Sequence, residues 1–98
     1  MTEKVEDLTV SYTENGIETT KELDKVILSK GSWTTIIFRH QDWVPAKEAY
    51  GPDKYTIRRY QKRAGEYRQQ SKFNISSRAQ AEALIKALQG WIVEGGEQ

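Results

Sequence analysis

Apolar and polar residues alternate with period two along most of this chain. Leu8-Thr9-Val10-Ser11-Tyr12 has the alternation of a half-buried strand. Glu14-Asn15-Gly16 follows, and Asn-Gly favours the tight turn of a two-residue hairpin. Ile17 to Leu28 resumes extended character, with β-branched Ile17, Thr19, Thr20, Val26 and Ile27. Lys30-Gly31-Ser32 is the next turn. Trp33 to His40, dominated by Thr, Ile and Phe, is the clearest strand in the chain. Gln41 to Asp53 reads as a long loop with Pro45, Gly51 and Pro52, at the length where functional loops concentrate.

Lys54 to Arg63 and Glu66 to Ile75 predict a two-stranded ribbon. Tyr55 and Ile57 share one face of the first strand; Tyr67, Phe73 and Ile75 share one face of the second. A two-residue loop at Ala64-Gly65 would set Ile57 beside Lys72 and break that match. A three-residue loop, Arg63-Ala64-Gly65, keeps it and pairs Lys62 with Glu66, so this register is expected.

After the ribbon the period changes. Ser77-Arg78-Ala79-Gln80 resembles a capping box, with Ser76 as an alternative N-cap. Ala81, Leu84, Ile85, Leu88, Trp91 and Ile92 recur at helical spacing as one apolar stripe, and Gly95-Gly96 ends the helix. The fold class expected is α+β. A curved antiparallel sheet of four to five strands is followed by one C-terminal amphipathic helix, which covers one face of the sheet. The 98 residues fit a single domain, 1–98, with an ordered core over about 5–93 and a polar tail, 94–98.

Charge changes the picture. The net charge is +1, but Lys54 to Arg78 holds eight basic residues and one acid, Glu66, for +7. The remainder carries −6. Charge sorted in this way attracts polyanions to one element. On the expected register, Lys54, Thr56, Arg58, Tyr60, Lys62, Arg68, Gln70, Lys72 and Asn74 point away from the helix. Cations track phosphates, aromatic rings stack on bases, and arginine planes do both. Trp43 and Tyr50, in the long loop, add further stacking surface. A solvated face that uses Lys and Arg for solubility and edge protection carries similar charges, but such faces normally mix signs.

Other chemistry is sparse. The chain has no cysteine and one histidine, His40, which removes disulfides and thiolate zinc sites and suits a reducing, cytoplasmic compartment. No metal site and no cofactor are expected. His40 near Asp42 lacks a nucleophile, and Glu3, Glu6 and Asp7 follow no oxygen-ligand pattern. No GxxxxGK or GxGxxG occurs, no apolar run approaches a membrane span, and the N-terminus lacks a signal-peptide core. The expectation is a non-catalytic protein.

At the ribbon and helix the sequence resembles the PC4-like transcriptional coactivators and their bacterial relatives. Thr56-Ile57-Arg58-Arg59-Tyr60 resembles their Asp-Ile-Arg-Glu-Tyr segment. Ala64-Gly65-Glu66 resembles the tight turn, and Ser71-Lys72-Phe73-Asn74-Ile75 the return strand before the helix. Lys72 stands where the family usually has glycine, and Trp33 to Asp53 replaces its compact upstream hairpin. The resemblance implies a homodimeric, sequence-tolerant binder of single-stranded DNA acting in transcription or DNA maintenance. Arg58 and Tyr60 match the family's arginine and aromatic. The expected contact residues are therefore Arg58, Tyr60, Lys62, Arg68, Lys72, Lys54 and Trp43. A protein-interaction module docking an acidic partner is the alternative.

Overall fold

The computed structural model describes residues 4–95. The fold is α+β: a curled antiparallel sheet followed by one C-terminal helix. Its strands are β1 (Tyr12–Glu14), β2 (Ile17–Ser29), β3 (Trp33–Val44), β4 (Ala49–Tyr50), β5 (Lys54–Arg63) and β6 (Glu66–Ile75), and the helix is α1 (Arg78–Gly95). The sheet order is β1-β2-β3-β5-β6, with β4 paired to the end of β3. Each connection along this order is therefore a local hairpin or short loop.

The hairpin signals act through positive φ. Asn15 (53°) and Gly16 (81°) close β1–β2, and Ala64 (52°) and Gly65 (80°) close β5–β6. Two consecutive left-handed residues make the turn whose twist matches the strands. The β5–β6 loop thus has two residues, with Arg63 opposite Glu66 and Lys62 opposite Tyr67, instead of the expected three. A bulge corrects the mismatch. Tyr60 faces Gln69 and Arg59 faces Ser71, so Gln70 is the extra residue. Below the bulge, Ile57 meets Phe73 and Tyr55 meets Ile75. The bulge re-aligns the apolar positions that a two-residue loop alone would misplace.

The expected long loop is mostly ordered pairing. β3 runs on to Val44, a 3-10 turn covers Pro45–Lys47, and β4 folds back to pair Trp43 with Tyr50. Only Gly51, Pro52 and Asp53 then separate β4 from β5, and the Gly51 N–H bonds the Asp42 carbonyl at 2.9 Å.

The N-terminal segment also departs from expectation. Leu8 to Ser11 does not join the ladder; a 3-10 turn at Val5–Asp7 leads into an irregular stretch. Val5, Leu8 and Val10 nevertheless bury against Ile36, Phe38 and Tyr60, with Ile27 and Tyr67 packed alongside. Backbone groups removed from a ladder need other partners. Lys25 Nζ donates to the Glu6 and Leu8 carbonyls, both at 2.6 Å, and Ser11 Oγ accepts from the Glu22 N–H at 3.0 Å. The even-numbered residues of β3 and β5 form this core face, where Thr34, Ile36, Phe38 and Thr56 are fully buried.

The helix does not cover the sheet. Ser77 caps it by accepting the Gln80 N–H at 3.1 Å, and Gln80 Oε1 reaches back to the Ser76 N–H at 2.6 Å. Ala81 and Leu84 are half-buried near Ile37, Tyr55 and Ile75. Beyond them Ile85, Leu88, Trp91, Ile92 and Val93 are exposed. The opposite, helix-side face carries a cross-strand row, Val26–Ile37–Ile57–Phe73. Val26 and Phe73, at its ends, are also exposed. The core is therefore sealed by the N-terminal segment, and the stripe on α1 has no partner within the described chain. No helix among the described residues is long and apolar enough to cross a membrane.

Candidate nucleic-acid interface

β5 and β6 bring the expected residues together unequally. Arg58 and Lys72 are direct cross-strand partners on the core-face side of the ribbon; Arg58, beside buried Ile36, is half-buried and Lys72 is exposed. Thr56 lies two residues from Arg58 and opposite Asn74. Its buried hydroxyl accepts from Arg58 Nε at 3.3 Å and donates to Asn74 Oδ1 at 2.7 Å. Arg58 Nη1 donates to Gln69 Oε1 at 2.8 Å. A buried hydroxyl thus fixes the guanidinium and the amide together, and the ladder fixes Lys72 beside them.

Lys62 continues this stripe toward the turn, its ammonium 5.4 Å from the centre of the Tyr67 ring. Lys54 stands at the other end, bound to Asp42 Oδ2 at 3.0 Å. The second Asp42 oxygen lies 3.2 Å from His40 Nδ1, and the His40 ring is largely buried. These groups border a cavity of about 330 Å³ between β3, β5, β6 and Val10.

Three expected contact residues are placed elsewhere. Tyr60 is on the expected face, but it is 5% exposed and belongs to the core cluster, so its ring is not open to a base. Burial also holds its phenol above the usual tyrosine value, against the lowering effect of Arg58. Arg68 moves to the opposite face, because the two-residue turn sets it across from Gln61. Trp43 packs edge-on against Tyr50, with ring centres 5.2 Å apart, in the β3–β4 hairpin. Strand alternation puts it on the other parity from Asp42 and away from Arg58.

Lys54, His40 and Arg39 have carboxylate partners near the β3–β5 end. Among the described residues, Arg58, Arg59, Lys62, Arg63, Arg68 and Lys72 have none within 4.0 Å. Arg59 instead stacks over Trp33, 4.4 Å from the ring centre, and Arg63 Nε bonds Gln61 Oε1 at 2.9 Å. Sequence parity located Arg58 and Lys72; it missed the Thr56 relay, which needs the strand pairing to be seen. No cluster of three or more His, Asp or Glu side chains suited to a metal ion occurs among the described residues. No protein-family model, no curated protein and no solved structure matches this chain.

Proposed function

We propose that this protein binds single-stranded nucleic acid, DNA in preference to RNA, without catalysis, along the Lys62–Arg58–Lys72 stripe of the β5–β6 ribbon. The supporting observation is the Arg58/Lys72 pair. Like charges directly opposite across two strands destabilise a sheet, and no carboxylate among the described residues pairs with either cation. A phosphate bound between the two cations removes the repulsion and releases counterions from the strand. With Tyr60 sealed in the core, stacking falls to the Arg58 plane, so recognition is dominated by phosphate and tolerant of sequence.

The reading includes a homodimer. Ile85, Leu88, Trp91, Ile92 and Val93 form an exposed apolar stripe of the kind that marks an interaction surface, and the Val26–Phe73 row offers a second apolar surface. The cysteine-free chain suits the cytoplasm, and sequence-tolerant strand binding suits transcription or DNA maintenance.

Fluorescence anisotropy with labelled oligo-dT tests the binding. Affinity should fall with salt by roughly 0.7 log units per log unit for each phosphate neutralised. An absence of binding at ~50 mM salt and micromolar protein contradicts the proposal, since the electrostatic term is largest there. An acidic protein that displaces the oligonucleotide and binds more tightly favours the interaction-module alternative.

A further inference from the structure

The cavity beside the stripe carries more than positive charge. Its walls come from β3 (His40, Asp42), β5 (Lys54, Arg58) and β6 (Asn74), and Val10 of the N-terminal segment closes one side. Both Asp42 oxygens are engaged, one by His40 and one by Lys54. A carboxylate accepts only, so His40 Nδ1 donates to it, and in the neutral ring Nε2 is left as an acceptor. Asn74 is fixed in the same way. Its Oδ1 accepts from Thr56, so its NH2 group is left to donate. The cavity thus sets an oriented imidazole beside an oriented amide donor, next to a guanidinium.

A phosphate accepts hydrogen bonds only and makes no use of the acceptor that a neutral imidazole offers. A nucleobase edge offers both donors and acceptors. A volume of about 330 Å³ is at the small end of ligand sites, which suits one base and not a larger ligand. We infer that this cavity receives one unstacked base of the bound strand, whose backbone phosphate lies on Arg58 and Lys72. Asn74 donates to the base edge, His40 Nε2 accepts from it, and Val10 packs on the ring. The inference rests on the strand-binding reading and adds a base-reading position to it.

The test compares oligo-dT with an abasic deoxyribose-phosphate strand of equal length, by anisotropy in the same buffer. The expected result is tighter binding of the base-bearing strand by the wild-type protein, on the order of tenfold, the scale of one base contact. Asn74→Ala should erase most of that difference. A thermal melt checks that the variant folds. Independently of any variant, ¹⁵N-labelled wild-type protein titrated with dTMP should shift the Asn74 side-chain amide signals. Equal affinity of wild-type protein for the two strands, with no movement of those signals, overturns the base site and leaves the phosphate stripe standing. Failure to bind either strand overturns the strand-binding reading, and the base site with it.

Discussion

The two faces of this sheet are built from similar residues and end in opposite states. The core face stacks Ile36, Phe38, Thr56 and Tyr60, and the chain's own Val5–Val10 segment seals it. The helix-side face lines up Val26, Ile37, Ile57 and Phe73, and only the first turns of α1 approach it. Phe38 is fully buried, whereas Phe73 is 51% exposed. Stability comes from the first face. The second, with the α1 stripe, is available for association.

Substitutions sharpen this contrast. Phe38→Ala should be the most severe, losing about 3–5 kcal/mol in urea unfolding, because it leaves a cavity in the sealed core. Phe73→Ala should cost far less. A similar loss from both would show that the helix-side face is also sealed. Trp91, 70% exposed on α1, should leave monomer folding intact when changed to Ala but weaken self-association by ~2 kcal/mol or more, roughly thirtyfold, if it anchors a dimer. Sedimentation velocity across a concentration series reads this directly. A wild-type protein that stays monomeric at high micromolar concentration removes the dimer.

Lys72→Glu separates stability from binding. Replacing one of two opposed cations with an acid should stabilise the sheet by about 0.2–1 kcal/mol while weakening oligonucleotide binding. A solvated, purely solubilising face predicts the gain in stability without the loss of binding.

The smallest effect concerns Tyr60. Its phenol is held above the ordinary value of 10.0 by burial. As pH rises, the unfolded chain therefore gives up this proton first. The stability contributed by the neutral, buried phenol is complete below about pH 10 and is lost as pH climbs through the folded value. Tyr60→Phe keeps the ring without the proton. Its thermal midpoint should fall less steeply than that of the wild type as the pH is raised past about 10. Parallel curves would mean that the ring is not buried.

Much of this was legible in the sequence. Asn15-Gly16 marked one turn, Arg63-Ala64-Gly65 marked the place of another but with one loop residue too many, and the bounds of β5 and β6 match the ribbon. Ser77 and Gln80 marked the helix start. That Arg58 and Lys72 share a face followed from parity, but the expected register set Arg58 across from Gln70, and only the bulge brings it opposite Lys72. The two-residue turn moved Arg68 to the other face, and the bulge at Gln70 that restores the apolar match beyond it was hidden, because Gln69-Gln70 has no glycine or other local signature. Alternation in Leu8–Tyr12 marked the buried Leu8 and Val10 but not Tyr12, which is exposed, and a covering segment and a strand alternate alike. The burial of Tyr60 depends on that tertiary choice. Gln41 and Asp42 are polar because they bond Asp53, His40 and Lys54, so β3 looked finished at His40, four residues before it ends at Val44.

Anisotropy titrations of labelled oligo-dT, run with wild-type protein and Lys72→Glu from ~50 to ~200 mM salt, decide whether the unpaired cations are a phosphate site. The expected wild-type plot of log affinity against log salt is linear and steep, with Lys72→Glu binding more weakly on a slope shallower by about 0.7 or more. Identical curves for the two proteins, or affinity that does not respond to salt, would show that the Arg58/Lys72 pair is only solvated surface.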